Sequence, residues 1–352
     1  MLWEKFCAEV DAISEEATCR WQKEDFDSNY FCNIVSDSIR NHWSDVKVTL
    51  EDILKNFSNV SRRVPQQRHQ FSDMQLVLFD NGILFAELLV WWNRGTSIHD
   101  HGFSGVLLQV NGSSLEFRYS ASGKSISARG AIDEIVLDEV VHTRCGDERV
   151  ILPGRTLCHF VYHLEKPTVS LIFRTHIDQT LSPQQSYFPP FLVLSHESPG
   201  INLSKKIAVL RMLRDVDPDR HLQRVFAEIE EAGHSSRFWL IRSFVRDMLS
   251  SRTLEKLNSY GGESRLVLEK VLRSAFESYR FSETSRIGQD LTSDVDPPEI
   301  LAMFVVASTW HDFDLIREKL THVSDEQIAS VRDVLLSGLP SHVSALSEVL
   351  KQ

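Results

Sequence analysis

Between Trp91 and Gly112 the chain reads WWNRGTSIHDHGFSGVLLQVNG, an apolar, alternating stretch that carries His99-Asp100-His101. On a β-strand, residues i and i+2 face the same side, so two imidazoles can meet one metal from a single strand. Asp100 then points to the other face, where it can orient a histidine or steady the loop but is not the default third ligand. The pattern alone leaves a plainer reading open, in which His99 and His101 are ordinary core or surface residues. What separates the two readings is whether the rest of the chain folds as strands and supplies a third donor.

The flanking sequence does read as strands. Met74 to Phe79 and Leu84 to Trp91 are strand-like and flank the turn signal Asp80-Asn81-Gly82. Gly105–Val110, Leu115–Tyr119, Ile132–Leu137, Arg149–Leu152, Leu157–Tyr162 and Thr168–Phe173 follow, many separated by Gly, Ser or Asp. Short successive strands without long helices between them predict an all-β barrel or sandwich for this part. Helical spacing occupies both sides of it. Phe6, Val10 and Ile13, then Phe31, Ile34 and Val35, then a segment from Thr49 to Phe57 predict helices over residues 1–60. Ser182 to Gly200, with four prolines, reads as a linker or packed extension, and helices follow from Ser204 to Leu350. The expected organisation is a helical cover over 1–60, a barrel over 61–199 and an all-α domain over 200–352. Trp91 and Trp92 are expected to straddle the sheet, one packing inward and the other against an added helix.

The third donor is expected from Pro153-Gly154 and the strand Cys158-His159-Phe-Val-Tyr-His163. A tight turn followed by His159 in a second strand can bring a third imidazole to the first two. His163 shares the parity of His159 and reads as a supporting donor, an acid–base group or a core histidine.

With these residues the sequence resembles the cupin superfamily over about residues 70–180. Gly95, His99, His101 and Gly112 correspond to its first motif, and Pro153, Gly154, His159 and His163 to its second. More narrowly, Gly95-Thr-Ser-Ile-His-Asp-His101, Ser104, His159-Phe-Val161 and Pro167-Thr-Val-Ser-Leu171 resemble the cysteine dioxygenase-type thiol dioxygenases. The resemblance implies a cupin-like β-barrel between its N-terminal helices and a C-terminal all-α domain. It implies Fe(II) on His99, His101 and His159, although imidazole also suits other divalent metals. It further implies dioxygen as co-substrate and a thiol oxidised to a sulfinate. Three histidines suffice in that family, and Gly105 stands in the slot where wider cupins carry a ligand glutamate.

Two family features are absent. No arginine occupies the place of the substrate-carboxylate arginine before the first motif, where the chain reads Phe71-Ser-Asp-Met-Gln-Leu76. The Ser-x-His-x-Tyr relay is reduced to Ser170, followed by Ile172 and Arg174. Ser170 is retained as a catalytic or supporting candidate beside His163. Arg174, Tyr119 and Tyr162 are the substrate-binding candidates, with Arg68, Arg94, Arg144 and Arg155 as cations that could arrive by another route. Each has a structural alternative, as a packed tyrosine or a solvated or paired charge.

Composition narrows the partners. The chain has 38 Lys and Arg against 49 Asp and Glu, a formal charge of −11, which disfavours nucleic acid. Five scattered cysteines without a Cys-x-x-Cys pair argue against a disulfide scaffold and for a reducing, cytoplasmic setting. No apolar run is long enough to span a bilayer; Ile300 to Trp310 reads as a buried helix, a lid or a dimer face. The readings are a mononuclear non-haem iron oxygenase acting on a small organic substrate, a cupin-related ligand- or metal-binding sensor or interaction protein, and a metal-dependent isomerase or lyase. Residues 200–352 could serve a homodimer or another protein.

Overall fold

Phe6, Val10, Ile13, Ala17 and Trp21 recur every three or four residues, so α1 (Leu2–Lys23) buries one continuous face. In a computed structural model of the protein, the described residues are 2–66, 71–92, 95–121, 131–177, 183–195, 198–248, 263–290 and 324–338. Asp27 caps α2 (Ser28–His42) by accepting from the Asn29 amide. Thr49 and Asp52 form a reciprocal capping box that starts α3 (Leu50–Arg63).

Among the described residues twelve strands follow: β1 (Met74–Asp80), β2 (Leu84–Trp91), β3 (Ile98–His101), β4 (Gly105–Asn111), β5 (Ser114–Ala121), β6 (Ala131–Ile132), β7 (Ile135–Thr143), β8 (Glu148–Ile151), β9 (Gly154–His163), β10 (Thr168–Thr175), β11 (Ser186–Phe188) and β12 (Leu192–Leu194). They form a five-stranded sheet in the order β1-β2-β10-β4-β8 and a seven-stranded sheet in the order β6-β12-β11-β3-β9-β5-β7. The region resembles a cupin core, with helices before it and an α-helical domain after it. Gly112, between β4 and β5, has φ of +72°, and a Cβ there would meet Thr168 Oγ1 at 2.9 Å. Only glycine makes that turn without strain.

Two compact units are distinguished: Met1–Thr96, Asp100–Arg118 and Glu139–Pro183 form one, and Ser97–His99, Tyr119–Asp138 and Gln184–Gln352 the other. In the first, β2 is buried along its whole length. Its alternate residues Leu84, Ala86, Leu88 and Val90 join Val169, Leu171 and Phe173 of β10 in one core with α1, α2 and α3. The opposite face places Leu89, Trp91 and Ile172 in a separate core with Ile151 and Leu157. Burial on both faces explains why β2 reads as an unbroken apolar run interrupted only by Glu87.

The second unit has its own apolar core. It is built on Leu192 and Leu194 of β12 with α4 (Ile201–Val216), α5 (Pro218–Glu231), α6 (His234–Ser243), α7 (Val245–Met248) and α8 (Glu263–Asp290). A further helix, α9, spans Asp325–Gly338. No described helix is long and apolar enough to cross a membrane. The expected helices at Pro298–Thr309, Leu315–Leu320 and Ser341–Leu350, and the apolar stretch Ile300–Trp310, lie outside the described residues.

Two expectations need correction. Residues 182–200 are not simply a linker, because β11 and β12 form an antiparallel hairpin there, with Tyr187 opposite Val193. Three-residue strands around Phe188-Pro189-Pro190 are too short to give an alternating pattern. Trp92 does not pack against a helix: it is 53% exposed, while Trp91 is buried.

Candidate metal centre

His99 and His101 leave β3 on one face, as strand alternation requires, and His159 comes from β9, the neighbouring strand. All three are buried, and each offers a ring nitrogen within 4.8 Å of the others. The His101 and His159 rings meet edge to face, with centroids 4.8 Å apart. Asp100, between the two histidines, is buried as well and is not one of the converging groups.

Hydrogen bonds fix which nitrogen the His99 and His159 rings present. His99 Nδ1 lies 2.8 Å from the Ser97 carbonyl oxygen, which can only accept. Nδ1 therefore carries the proton, and in the neutral ring Nε2 carries the lone pair. His159 Nδ1 lies 2.6 Å from Glu116 Oε1. Burial pushes the Glu116 carboxyl up, but contact with His159 and then Arg118 outweighs it and holds the group at about 2. An ionised carboxylate only accepts, so His159 Nδ1 donates to Glu116, and in the neutral ring Nε2 carries the lone pair. Three buried imidazoles, two of them with the proton held on the outer nitrogen, suit a divalent transition metal without selecting which one.

Glu116 escaped the sequence reading. It lies 43 positions from His159 in the chain, and only the pairing of β5 with β9 brings them together. Its second oxygen accepts from Arg118 Nη2 at 2.9 Å, and Arg118 Nη1 donates to Glu139 at 3.1 Å. The one available signal was alternation: Ser114, Glu116 and Arg118 share a face of β5, an unusual run of polar residues in a buried strand.

The other candidates have separate placements. His163 is buried, its Nδ1 lies 2.9 Å from Ser114 Oγ, and its ring stacks on Trp91 with centroids 4.5 Å apart. Ser170 donates its hydroxyl to Gln109 Oε1 at 3.3 Å. Arg174 donates from Nε to Glu87 Oε1 at 2.8 Å, and its guanidinium lies 3.8 Å from the centre of the Phe85 ring and 4.4 Å from that of Phe103. Burial lowers the pKa of this guanidinium and Glu87 partly restores it. Gln75 donates to the same carboxylate. Phe103 in turn meets His101 edge to face at 5.1 Å. Tyr162 and Tyr119 are buried at positions that alternate with His159 and Glu116, so they stand on the opposite faces of β9 and β5. Arg68 and Arg94 lie outside the described residues.

Gly105 is held by packing. It pairs with Arg174 across β4 and β10, and a Cβ there would come within 3.1 Å of Arg174 Cβ and 3.2 Å of the Phe173 carbonyl oxygen. A side chain at this position would be tightly packed and would require its neighbours to give by a few tenths of an ångström.

No protein-family profile and no curated protein matches the chain. Among solved structures, it is similar to hydroquinone 1,2-dioxygenase from Sphingomonas sp. TTNP3, at 11% identity over 31% of this chain and 70% of that one, with a TM-score of 0.24. It is similar to the DMSP lyase DddQ from Ruegeria pomeroyi DSS-3, at 11% identity over 41% and 71%, TM-score 0.27. A cupin-2 domain protein from Shewanella frigidimarina is 12% identical over 36% of this chain and all of that one, TM-score 0.22. Likenesses this slight say nothing of what the chain acts on. Its own strands and histidines give it a cupin-like fold with a three-histidine cluster capable of holding a divalent metal.

Proposed function

We propose that the protein is a mononuclear non-haem iron oxygenase acting on a small organic substrate, with a thiol converted to a sulfinate as the leading case. The observation that carries this reading is the convergence of three buried imidazoles with no carboxylate among them. In our reading His99, His101 and His159 hold the ion, and in His99 and His159 the nitrogen turned away from it is protonated and hydrogen-bonded. Ferrous iron bound there supplies open coordination positions and redox capacity for substrate and dioxygen. The overall conversion balances as thiolate plus dioxygen giving sulfinate, with sulfur losing four electrons and dioxygen gaining them.

The chain's own residues shape the substrate side. Phe103 sets an aromatic edge against His101. Arg174 has its charge balanced by Glu87 and lies against the Phe85 and Phe103 rings, which speaks against it as the anchor for a substrate carboxylate. We assign it a structural role and favour a substrate without a carboxylate at that point. His163, with Ser114 behind it and Trp91 against its face, is a supporting residue that steadies the wall. Residues 1–60 form the cover, 61–199 the barrel, and 200–352 a helical region available to a partner or a second copy.

Anaerobic loading with Fe(II), followed by oxygen uptake and product analysis on a panel of thiols and small metabolites, tests the reading. Iron-dependent oxygen uptake with a sulfinate or other oxygenated product is expected. Stoichiometric metal binding with no oxygen uptake and an eliminated or rearranged product would replace it with a lyase or isomerase. Failure to bind any divalent metal would leave a cupin-related binding protein.

A further inference from the structure

The histidine cluster has a carboxylate behind it that belongs to no ligand position. Glu116 uses both oxygens: Oε1 accepts from His159 Nδ1 at 2.6 Å and Oε2 accepts from Arg118 Nη2 at 2.9 Å. Arg149 Nε stands 3.9 Å from Oε2, and Arg118 is held from its far side by Glu139. Only a carboxylate can accept from both sides at once, because an amide of the same shape must offer an N–H in one of the two directions. We propose that Glu116 is a positioning residue that fixes His159 in the Nδ1–H form and turns its Nε2 to the metal, with Arg118 locking the carboxylate in place. This inference rests on the three-histidine reading above and adds to it a residue four strand positions beyond the turn at Gly112.

The geometry makes an unusual prediction for the isosteric variant. In Glu116→Gln the amide group can satisfy Arg118 or His159, not both. If Arg118 keeps the oxygen, the amide N–H faces His159 Nδ1, which must then accept, and the ring proton moves to Nε2, the nitrogen that should bind metal. Removing the competing donor with Arg118→Met frees the amide oxygen to turn back to His159. A merely structural Glu116 would show no such reversal, since the second substitution only removes another buried contact.

The test uses the full chain, labelled with 15N-histidine and free of metal, together with titration by Co(II) as the probe ion. The expected result is an Nδ1–H signal for His159 in the wild type, a shift to the Nε2–H form in E116Q, and its return in E116Q/R118M. Co(II) affinity is expected to fall by about 10- to 100-fold in E116Q and to recover in part in the double variant. An unchanged tautomer in E116Q, or Co(II) binding as tight as in the wild type, overturns the proposal. A wild type that binds no Co(II) overturns the metal reading itself, and the two failures are therefore distinct.

Discussion

Glu87 on β2 accepts from Arg174 on β10 at 2.8 Å, and both side chains are more than nine-tenths buried. An ion pair shut away from water stabilises only while both members are present. Glu87→Ala should leave a buried, uncompensated guanidinium and lower stability by about 3–5 kcal/mol. Replacing both, as Glu87→Leu with Arg174→Met, should cost less than the single change, because the apolar pair leaves no stranded charge. Urea unfolding of the single and double variants checks this, and a double variant weaker than E87A would contradict it.

Metal removal should act on stability as well as on activity. An ion bound to the folded state alone stabilises by about 2.7 kcal/mol when its free concentration is 100 times its dissociation constant. Chelation should therefore lower the melting temperature of the wild type, and leave H99A, H101A and H159A little changed. Metal content measured by atomic emission should fall in those three variants and persist in H163A, since His163 contacts Ser114 and Trp91 and is not among the converging groups.

Gly105 offers a test of whether the missing glutamate is a chemical or a steric matter. Its Cβ position is crowded by Arg174 Cβ at 3.1 Å and the Phe173 carbonyl oxygen at 3.2 Å. Gly105→Ala should destabilise by about 1–3 kcal/mol through overpacking. Gly105→Glu should fold worse still and gain no metal affinity. Thermal unfolding and Co(II) titration of the two variants decide it; a G105E protein that folds and binds the ion more tightly would refute the steric account.

The cysteines should react in order of exposure. Burial pushes the Cys32 thiol up to about 11, the largest effect on it. At pH 8 only about one such thiol in a thousand is a thiolate. Iodoacetamide should thus label the exposed Cys19 and Cys145 well before the buried Cys32 and Cys158, with denaturant releasing the rest. Raising the pH toward 11 increases the thiolate fraction of Cys32, so its labelling should climb steeply there. Peptide mapping of the alkylated protein reads the order directly.

What could be read from the sequence was what the chain writes locally. His99 and His101 lie two apart on one strand, so parity puts them on one face, and the Pro153-Gly154 turn together with the cupin resemblance nominates His159 as the third. The apolar alternation from Met74 to Phe173 likewise marks most of the strands. Glu116 could not be found this way, because its meaning depends on which strand becomes the neighbour of β9. The same holds for Arg174: its parity with Ser170 and Ile172 was visible, but Glu87, 87 positions away, decides what it does. The hairpin at Ser186–Leu194 was hidden for another reason, since its strands are shorter than one full period of evidence on each face.

β2 is enclosed on both sides, by α1 to α3 on one and by Trp91 and Leu89's neighbours on the other. A shortened chain that began at β1 would leave Leu84, Leu88, Val90, Leu171 and Phe173 as a bare wall facing water. Such a fragment is expected to clump through that wall whatever its histidines can do. The leading helices are masonry rather than ornament: anyone seeking the smallest working form of this protein has to begin at its first helix.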